Sequence, residues 1–383
     1  MGVTTSESQR GPDRFGHAPV GLIVLFVMAL VVIVLGGVIA RLAAAPAAPP
    51  ADPAVPPAPV SSGTASPGAS PSPEAPPAAP ADWLSGVGTE EVDNGSSPAA
   101  YFADWRGSDV EIGQTWVNTP DVWGIQPWIE NAWGGFTGPM SISFSPGEAG
   151  KDWISGGGER LQGWRSWAAT AQGDMDDWWR AAARETARLR ADRDTTYVSP
   201  FYEYNGDWMF WSVERTPQGL ADFRDGWARV AAIWREEFPE VQIVLPAGCT
   251  RDLPEEMLPD PASYDVMGCT MYNSSPWSPE GNMAMLRLES ARQFAELHGK
   301  PFAITEWANV GNPATPGGGG EAPGYIASMH AWLQAHGGTG PGQVVFECFF
   351  NIDGYERDHI LYRRSEGMST TQPETAATYQ ELW

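Results

Sequence analysis

The sequence predicts an α/β fold of the (β/α)₈ TIM-barrel class, on three observations. Short apolar runs alternate with segments of helical period, as successive βα units require. The part able to fold begins near residue 82 and ends at residue 383, a length suited to one barrel of about 250 residues plus insertions. All 19 tryptophans lie at or after Trp83, so the bulk needed for a core is concentrated there.

Eight strands are expected, near Trp83–Gly88, Val110–Trp116, Met140–Phe144, Thr196–Tyr202, Gln242–Pro246, Asp265–Tyr272, Pro301–Glu306 and Gln343–Phe350. Helices fall between them. Leu220, Phe223, Trp227, Val230 and Trp234 recur at three or four residues and lay one apolar stripe against a barrel. A second helix is expected to start at Asp174 as N-cap and run through Met175, Trp178, Ala182 and Leu189. Residues 147–173, rich in Gly and Trp, are too unusual for a simple connection and suggest a wall of the cleft.

The chain ahead of the barrel divides into three. Residues 1–19 form a short leader. Residues 20–40 carry no charge and are long enough to cross a bilayer. Arg10 and Arg14 precede them, and after Arg41 no Lys or Arg appears before Arg106, which places the leader in the cytoplasm and the barrel outside. A single-pass anchor is expected; a cleaved signal peptide is the alternative, with Pro46 just beyond the small residues at Ala43–Ala45. Residues 41–81, dense in Pro, Ala and Ser and lacking aromatics, cannot bury enough surface to fold and read as a spacer. Residues 82–383 are the barrel, either held at the cell surface through the N-terminal helix or secreted.

The net charge of −24 argues against nucleic acid and anionic membrane surfaces as partners and suits a neutral ligand. Cys249, Cys269 and Cys348 make no disulfide framework; buried thiols are expected, with a Cys249–Cys269 bridge as the alternative. The five histidines show no metal spacing, so neither metal nor organic cofactor is implied. Pro316–Gly320 lacks the Lys-Ser/Thr of a phosphate loop and reads as a mobile surface loop. A monomer is expected.

Side chains at the C-terminal ends of barrel strands point into the active site. Glu203 and Glu306 take that position at the ends of the fourth and seventh strands. Two carboxyls meeting across a barrel mouth are the equipment of glycoside hydrolysis, one protonated to assist the leaving oxygen and one ionised. Glu347, inside the eighth strand, is the rival carboxylate, and a buried structural partner is the simpler reading of it. Trp208, Trp211, Trp277 and Trp307 sit in or beside strand-end loops and are candidate stacking surfaces for sugar rings.

The segment Phe201-Tyr202-Glu203-Tyr204-Asn205-Gly206-Asp207-Trp208-Met209-Phe210-Trp211 resembles the acid/base motif of family-26 glycoside hydrolases, the β-mannanase family of retaining (β/α)₈ barrels. Pro200, Glu203, Asn205, Gly206, Trp208 and Trp211 match that motif. Ile304-Thr305-Glu306 is similar to the segment ending in the family's nucleophile, and Tyr264–Asn273 to its sixth strand. The resemblance implies Glu203 as acid/base, Glu306 as nucleophile and Tyr272 as a donor to the nucleophile, with Asn205 orienting the pair. It implies an endo-acting, retaining hydrolase of a β-linked polysaccharide of mannan or glucan type, binding substrate through Asn205, Trp208, Trp211, Tyr272, Trp277 and Trp307. Ser199 and Tyr202 replace the family's Arg and His, and Phe349 or Phe350 stands near the place of its strand-8 tryptophan. These departures favour, as the second reading, a non-catalytic carbohydrate-binding barrel at the cell surface.

Overall fold

The computed structural model describes residues 83–89, 98–119, 121–146, 166–250, 253–274, 282–315, 318–352, 358–363 and 365–383. Eight parallel strands close a barrel in chain order: β1 Leu84–Gly88, β2 Ile112–Asn118, β3 Met140–Ser145, β4 Thr196–Pro200, β5 Gln242–Gly248, β6 Val266–Asn273, β7 Phe302–Asn309 and β8 Val344–Phe350. β1 pairs with both β2 and β8, which removes every free edge. The helices are α1 Pro98–Arg106, α2 Ile125–Trp133, α3 Trp167–Gln172, α4 Asp176–Leu189, α5 Pro217–Glu237, α6 Met283–Leu297, α7 Pro323–His336 and α8 Pro373–Leu382. Between β5 and β6 two short 3₁₀ turns, Glu255–Met257 and Pro261–Ser263, stand where a full helix would otherwise cross.

α5 shows how sequence places a helix here. Thr216 caps it by accepting from the Gly219 amide at 3.1 Å, and Pro217 fits the first turn, where no amide is needed. Its buried face carries Phe223, Trp227, Val230 and Trp234. Phe223 stacks on Tyr204 at 4.8 Å, so this helix also holds the turn that follows β4.

Two boundaries differ from expectation. β4 stops at Pro200 and not at Tyr202, because Phe201 and Glu203 both take a φ of 53° and turn the chain out of the sheet. Asp174 does not cap α4. Gly173, at φ 95°, closes the short helix α3, and the Asp174 amide bonds back to the Ala169 carbonyl, leaving Met175 as the cap residue. Of the loop after β7, Pro316 and Gly317 lie outside the described residues, while the Gly319 amide is tied to the Val310 carbonyl at 2.9 Å.

Cys249 and Cys269 form a disulfide with Cα atoms 5.5 Å apart, a correction to the expectation of free thiols; Cys348 alone is a buried thiol. Alternation along β5 and β6 explains the pairing, since this parallel register brings Ala247 opposite Cys269 and Cys249 lies two residues beyond Ala247, on the same face. Among the described residues no helix is long and apolar enough to cross a membrane. The expected spanning segment 20–40, the spacer 41–81 and residues 147–165 of the expected cleft wall lie outside the described residues.

Closing a loop of 20 residues restricts the unfolded chain, and bridges of this span contribute about 3 kcal/mol. The Cys249→Ser/Cys269→Ser variant is therefore expected to unfold at lower urea than the oxidised protein. Equal midpoints for the two would show that the bridge contributes nothing.

Candidate active site

Glu306 reaches the barrel mouth because β7 carries a bulge. Against β6, Ile304 pairs with Cys269 and Glu306 with Thr270, so Thr305 is an extra residue; against β8 the register slips over the same stretch. A one-residue insertion inverts the in–out alternation of everything beyond it. Ala303 packs with the barrel interior, and past the bulge Glu306 faces the mouth while Trp307 turns outward onto the helices.

Two neutral donors hold the Glu306 carboxylate: Trp116 Nε1 donates to Oε1 at 2.6 Å and the Tyr272 hydroxyl to Oε2 at 2.6 Å. Trp116 lies on β2 and reaches inward across β1 only because residue 88 is glycine; a Cβ there would sit 2.4 Å from the indole. Phe350 braces both donors edge-on, with ring centroids 5.1 Å from Trp116 and 5.6 Å from Tyr272.

Glu203 is presented by a strained turn. Its left-handed φ, like that of Phe201, costs a non-glycine residue about 1–3 kcal/mol, and such positions cluster at functional sites. Neighbouring strands fix this turn: the Phe201 amide donates to Phe144 of β3 and the Glu203 amide to Pro246 of β5, each at 2.8 Å. The carboxylate accepts from Trp208 Nε1 at 2.5 Å and from the Thr270 hydroxyl. Trp208 folds over Gly206, where a Cβ would lie 2.6 Å from the indole.

Thr270 thus sits between the two acids. Its hydroxyl holds Glu203, and its backbone is the register partner of Glu306. Burial, followed by the like charge of Glu203, pushes the Glu306 carboxyl up to about 7, with the Tyr272 and Trp116 hydrogen bonds opposing the shift. A native carboxyl raised in this way holds a proton that the unfolded chain has released. Its contribution therefore favours the fold at acid pH and is lost as pH climbs from the ordinary carboxyl range to about 7.

Tyr272, Trp208, Glu203 and Glu306 meet in one place. Three other expected contact residues do not. Asn205 is fully buried, and its amide makes two bonds with Gly248: it donates to the carbonyl at 3.0 Å and accepts from the amide at 2.7 Å. It braces the Glu203 turn to β5 and offers nothing to a ligand. Trp211, 2% exposed, donates to the Tyr202 carbonyl at 2.6 Å and packs beneath that ring. Trp307, 0% exposed, donates to Glu347 and packs among Tyr325, Phe349 and Trp383. Trp277 lies outside the described residues.

Glu347 faces away from the mouth. Phe346 and Cys348 point into the barrel, so the residue between them points out, where Ser85 donates at 2.5 Å and Trp383 Nε1 at 3.1 Å. Burial raises its carboxyl, opposed by those bonds and by the charge of Arg106. Tyr202, in the place of the resembled family's His, turns its hydroxyl to Asn118 at the end of β2, 3.2 Å away. Phe350, not Phe349, occupies the mouth near the missing strand-8 tryptophan.

Trp116, Thr270 and Phe350 complete the site; Thr270 lies in the segment similar to the family's sixth strand without being singled out, and Trp116 carried no motif signal. Only inward alternation on β2 and β6 could have drawn attention to them.

No protein-family model matches this sequence, and no curated protein matches it. Solved structures do. The GH26C protein of a Muricauda species superposes with a TM-score of 0.56 at 14% identity, over 79% of this chain and 85% of that one. The catalytic domain of a Bacillus GH26 endo-β-1,4-mannanase gives 0.55 at 13% identity, over 78% and 85%. A modular endo-β-1,4-mannanase from Cellulomonas fimi gives 0.55 at 15% identity, over 78% and 70%. The likeness is one of fold. At this level of identity the family-26 structures share the closed barrel with this chain, and the site rests on its own residues.

Glu203→Gln removes the charge beside Glu306, so a carbon-13 titration of the Glu306 carboxyl is expected to give a midpoint below about 7. An unmoved midpoint would mean that the two groups do not interact. Asn205→Ala leaves buried Gly248 groups unpaired and is expected to cost about 1–3 kcal/mol in denaturant unfolding.

Proposed function

We propose that this chain is an exported glycoside hydrolase of the family-26 type that cleaves a β-linked polysaccharide, of mannan or glucan type, by an endo-acting, retaining mechanism. One observation carries the reading: two glutamates from distant strands flank Thr270 at one barrel mouth, close enough for the charge of one to raise the other. The endo-β-1,4-mannanases that share the fold support the substrate class.

In this mechanism Glu203 is the acid/base. It gives its proton to the glycosidic oxygen as that bond breaks, then takes a proton from the attacking water. Glu306 is the nucleophile, attacking the anomeric carbon to form a glycosyl ester that water later hydrolyses. Trp116 and Tyr272 aim its two oxygens and stabilise the carboxylate when the ester breaks. Repulsion between the two carboxyls suits this division, because it favours one ionised and one protonated group. Glu306 attacks only when ionised, so the carboxyl raised to about 7 is expected to set the acidic limb of kcat/KM.

Export follows from residues 20–40 and the spacer at 41–81, which would hold the barrel outside the cell, tethered or released. The disulfide is compatible with that compartment.

Glu203→Ala and Glu306→Ala are each expected to lower kcat on a responsive polysaccharide by roughly a thousandfold or more while the protein stays folded. Assays run across β-mannan, β-glucan and xylan with product sizing. Wild-type turnover in both variants would refute the assignment, and binding without reducing-end release would favour a non-catalytic barrel. Proton NMR of the first product reports stereochemistry: the β anomer is expected, and the α anomer would exclude retention.

A further inference from the structure

Burial withdraws Trp211 and Trp307 from any role in stacking, yet among the described residues one indole beyond the end of β2 stands in solvent. Trp123 lies in the connection after β2 and is 87% exposed, the highest value for a large apolar side chain among the described residues. Its surroundings are ordered by polar contacts. The Thr119 hydroxyl accepts from the Asp121 amide at 3.1 Å and donates to the Asp121 carbonyl at 3.0 Å. The Asp121 carboxylate accepts from the Trp123 amide at 3.1 Å, and the Thr119 amide is bound to Ser145 at the end of β3. Immediately after it, Ile125 and Ile129 of α2 are buried and anchor the loop from its other side. The backbone is held on both flanks while the ring is left in solvent.

Placement ties this ring to the glutamate pair. β2 delivers Trp116 to Glu306, and Asn118, at the strand's end, meets Tyr202 beside Glu203. Trp123 is five positions beyond Asn118, so its Cα lies within roughly 18 Å of the strand end even if the chain were fully extended. That is a reach of a few sugar units. A flat indole presented on a fixed loop matches the C–H face of a pyranose ring, whereas an isolated exposed indole would otherwise leave its apolar surface in water with no return.

We propose that Trp123 is a stacking platform for a distal unit of the same polysaccharide chain whose bond lies at the Glu203–Glu306 pair. The proposal deepens the glycan reading above and rests on it for the identity of the ligand. It assigns the β2 side of the barrel mouth to extended-chain binding, so that a preference for polymers over short glycosides would be a property of this loop.

The test compares the full-length protein with Trp123→Ala and Trp123→Tyr. Each is run in native gels containing soluble β-1,4-mannan or mixed-linkage β-glucan, and assayed on the same polymers and on an aryl monoglycoside. Trp123→Ala is expected to weaken retardation and raise KM on the retarding polymer roughly tenfold, the worth of one well-packed aromatic contact. The monoglycoside rate is expected to stay unchanged, and Trp123→Tyr to restore most of the polymer affinity. Unaltered retardation and KM in Trp123→Ala would overturn the platform while leaving the hydrolase reading intact. Equal losses on polymer and monoglycoside would also overturn it, since they would mark a general disturbance of the fold. Retardation that depends on Trp123 without any reducing-end release would sustain the platform and sink the hydrolase reading. No retardation of the unsubstituted protein in either gel would overturn the platform.

Discussion

Two buried carboxyls that repel each other are the constraint around which this barrel is arranged. Burial disfavours the ionised form of Glu306, and the charge of Glu203 adds to that cost. The two donors on Glu306, Trp116 and Tyr272, are neutral, and Trp208 and Thr270 donate to Glu203. Neutral donors orient the oxygens and temper the repulsion without cancelling it. A guanidinium in the same place would hold a carboxylate fully ionised.

The surrounding structure serves that balance in several ways. The β7 bulge turns Glu306 inward, and the left-handed turn after β4 throws Glu203 toward the same space. Asn205 fastens that turn to Gly248, and the next residue, Cys249, is bridged to Cys269, directly before Thr270. β5, β6 and the acid turn therefore form one fastened unit. On the other side Phe350 wedges between Trp116 and Tyr272, so the two donors of Glu306 move together or not at all. Strain at Glu203 persists because carbonyls of β3 and β5 and a side chain of α5 over-determine its position.

Ligand-facing aromatics were the least legible part of the sequence. Tryptophans placed near strand ends look alike in a linear pattern, whether they stack on sugar or fill the space between strands and helices. Trp307 follows Glu306 directly, and strand alternation alone sends it to the opposite face once Glu306 points inward. Trp211 sits in a loop by sequence, but Tyr202 covers it. Glu347 is structural, and its outward phase, next to inward-facing Cys348, gives the reason. Trp123 belongs to no motif, and only its exposure on a fixed loop distinguishes it.

By itself the sequence determined the barrel class and the approximate position of all eight strands, and it singled out Glu203 and Glu306. Those features are written in local periodicity and in a short motif, and neither depends on knowing what lies opposite. Tertiary structure decided which side chains meet the acids, that Cys249 and Cys269 are bridged, and that Asn205, Trp211 and Trp307 brace the fold. Each of those outcomes turns on strand register. One inserted residue, Thr305, inverts the facing of every position after it, and no local pattern reports such an insertion until the neighbouring strands are in place.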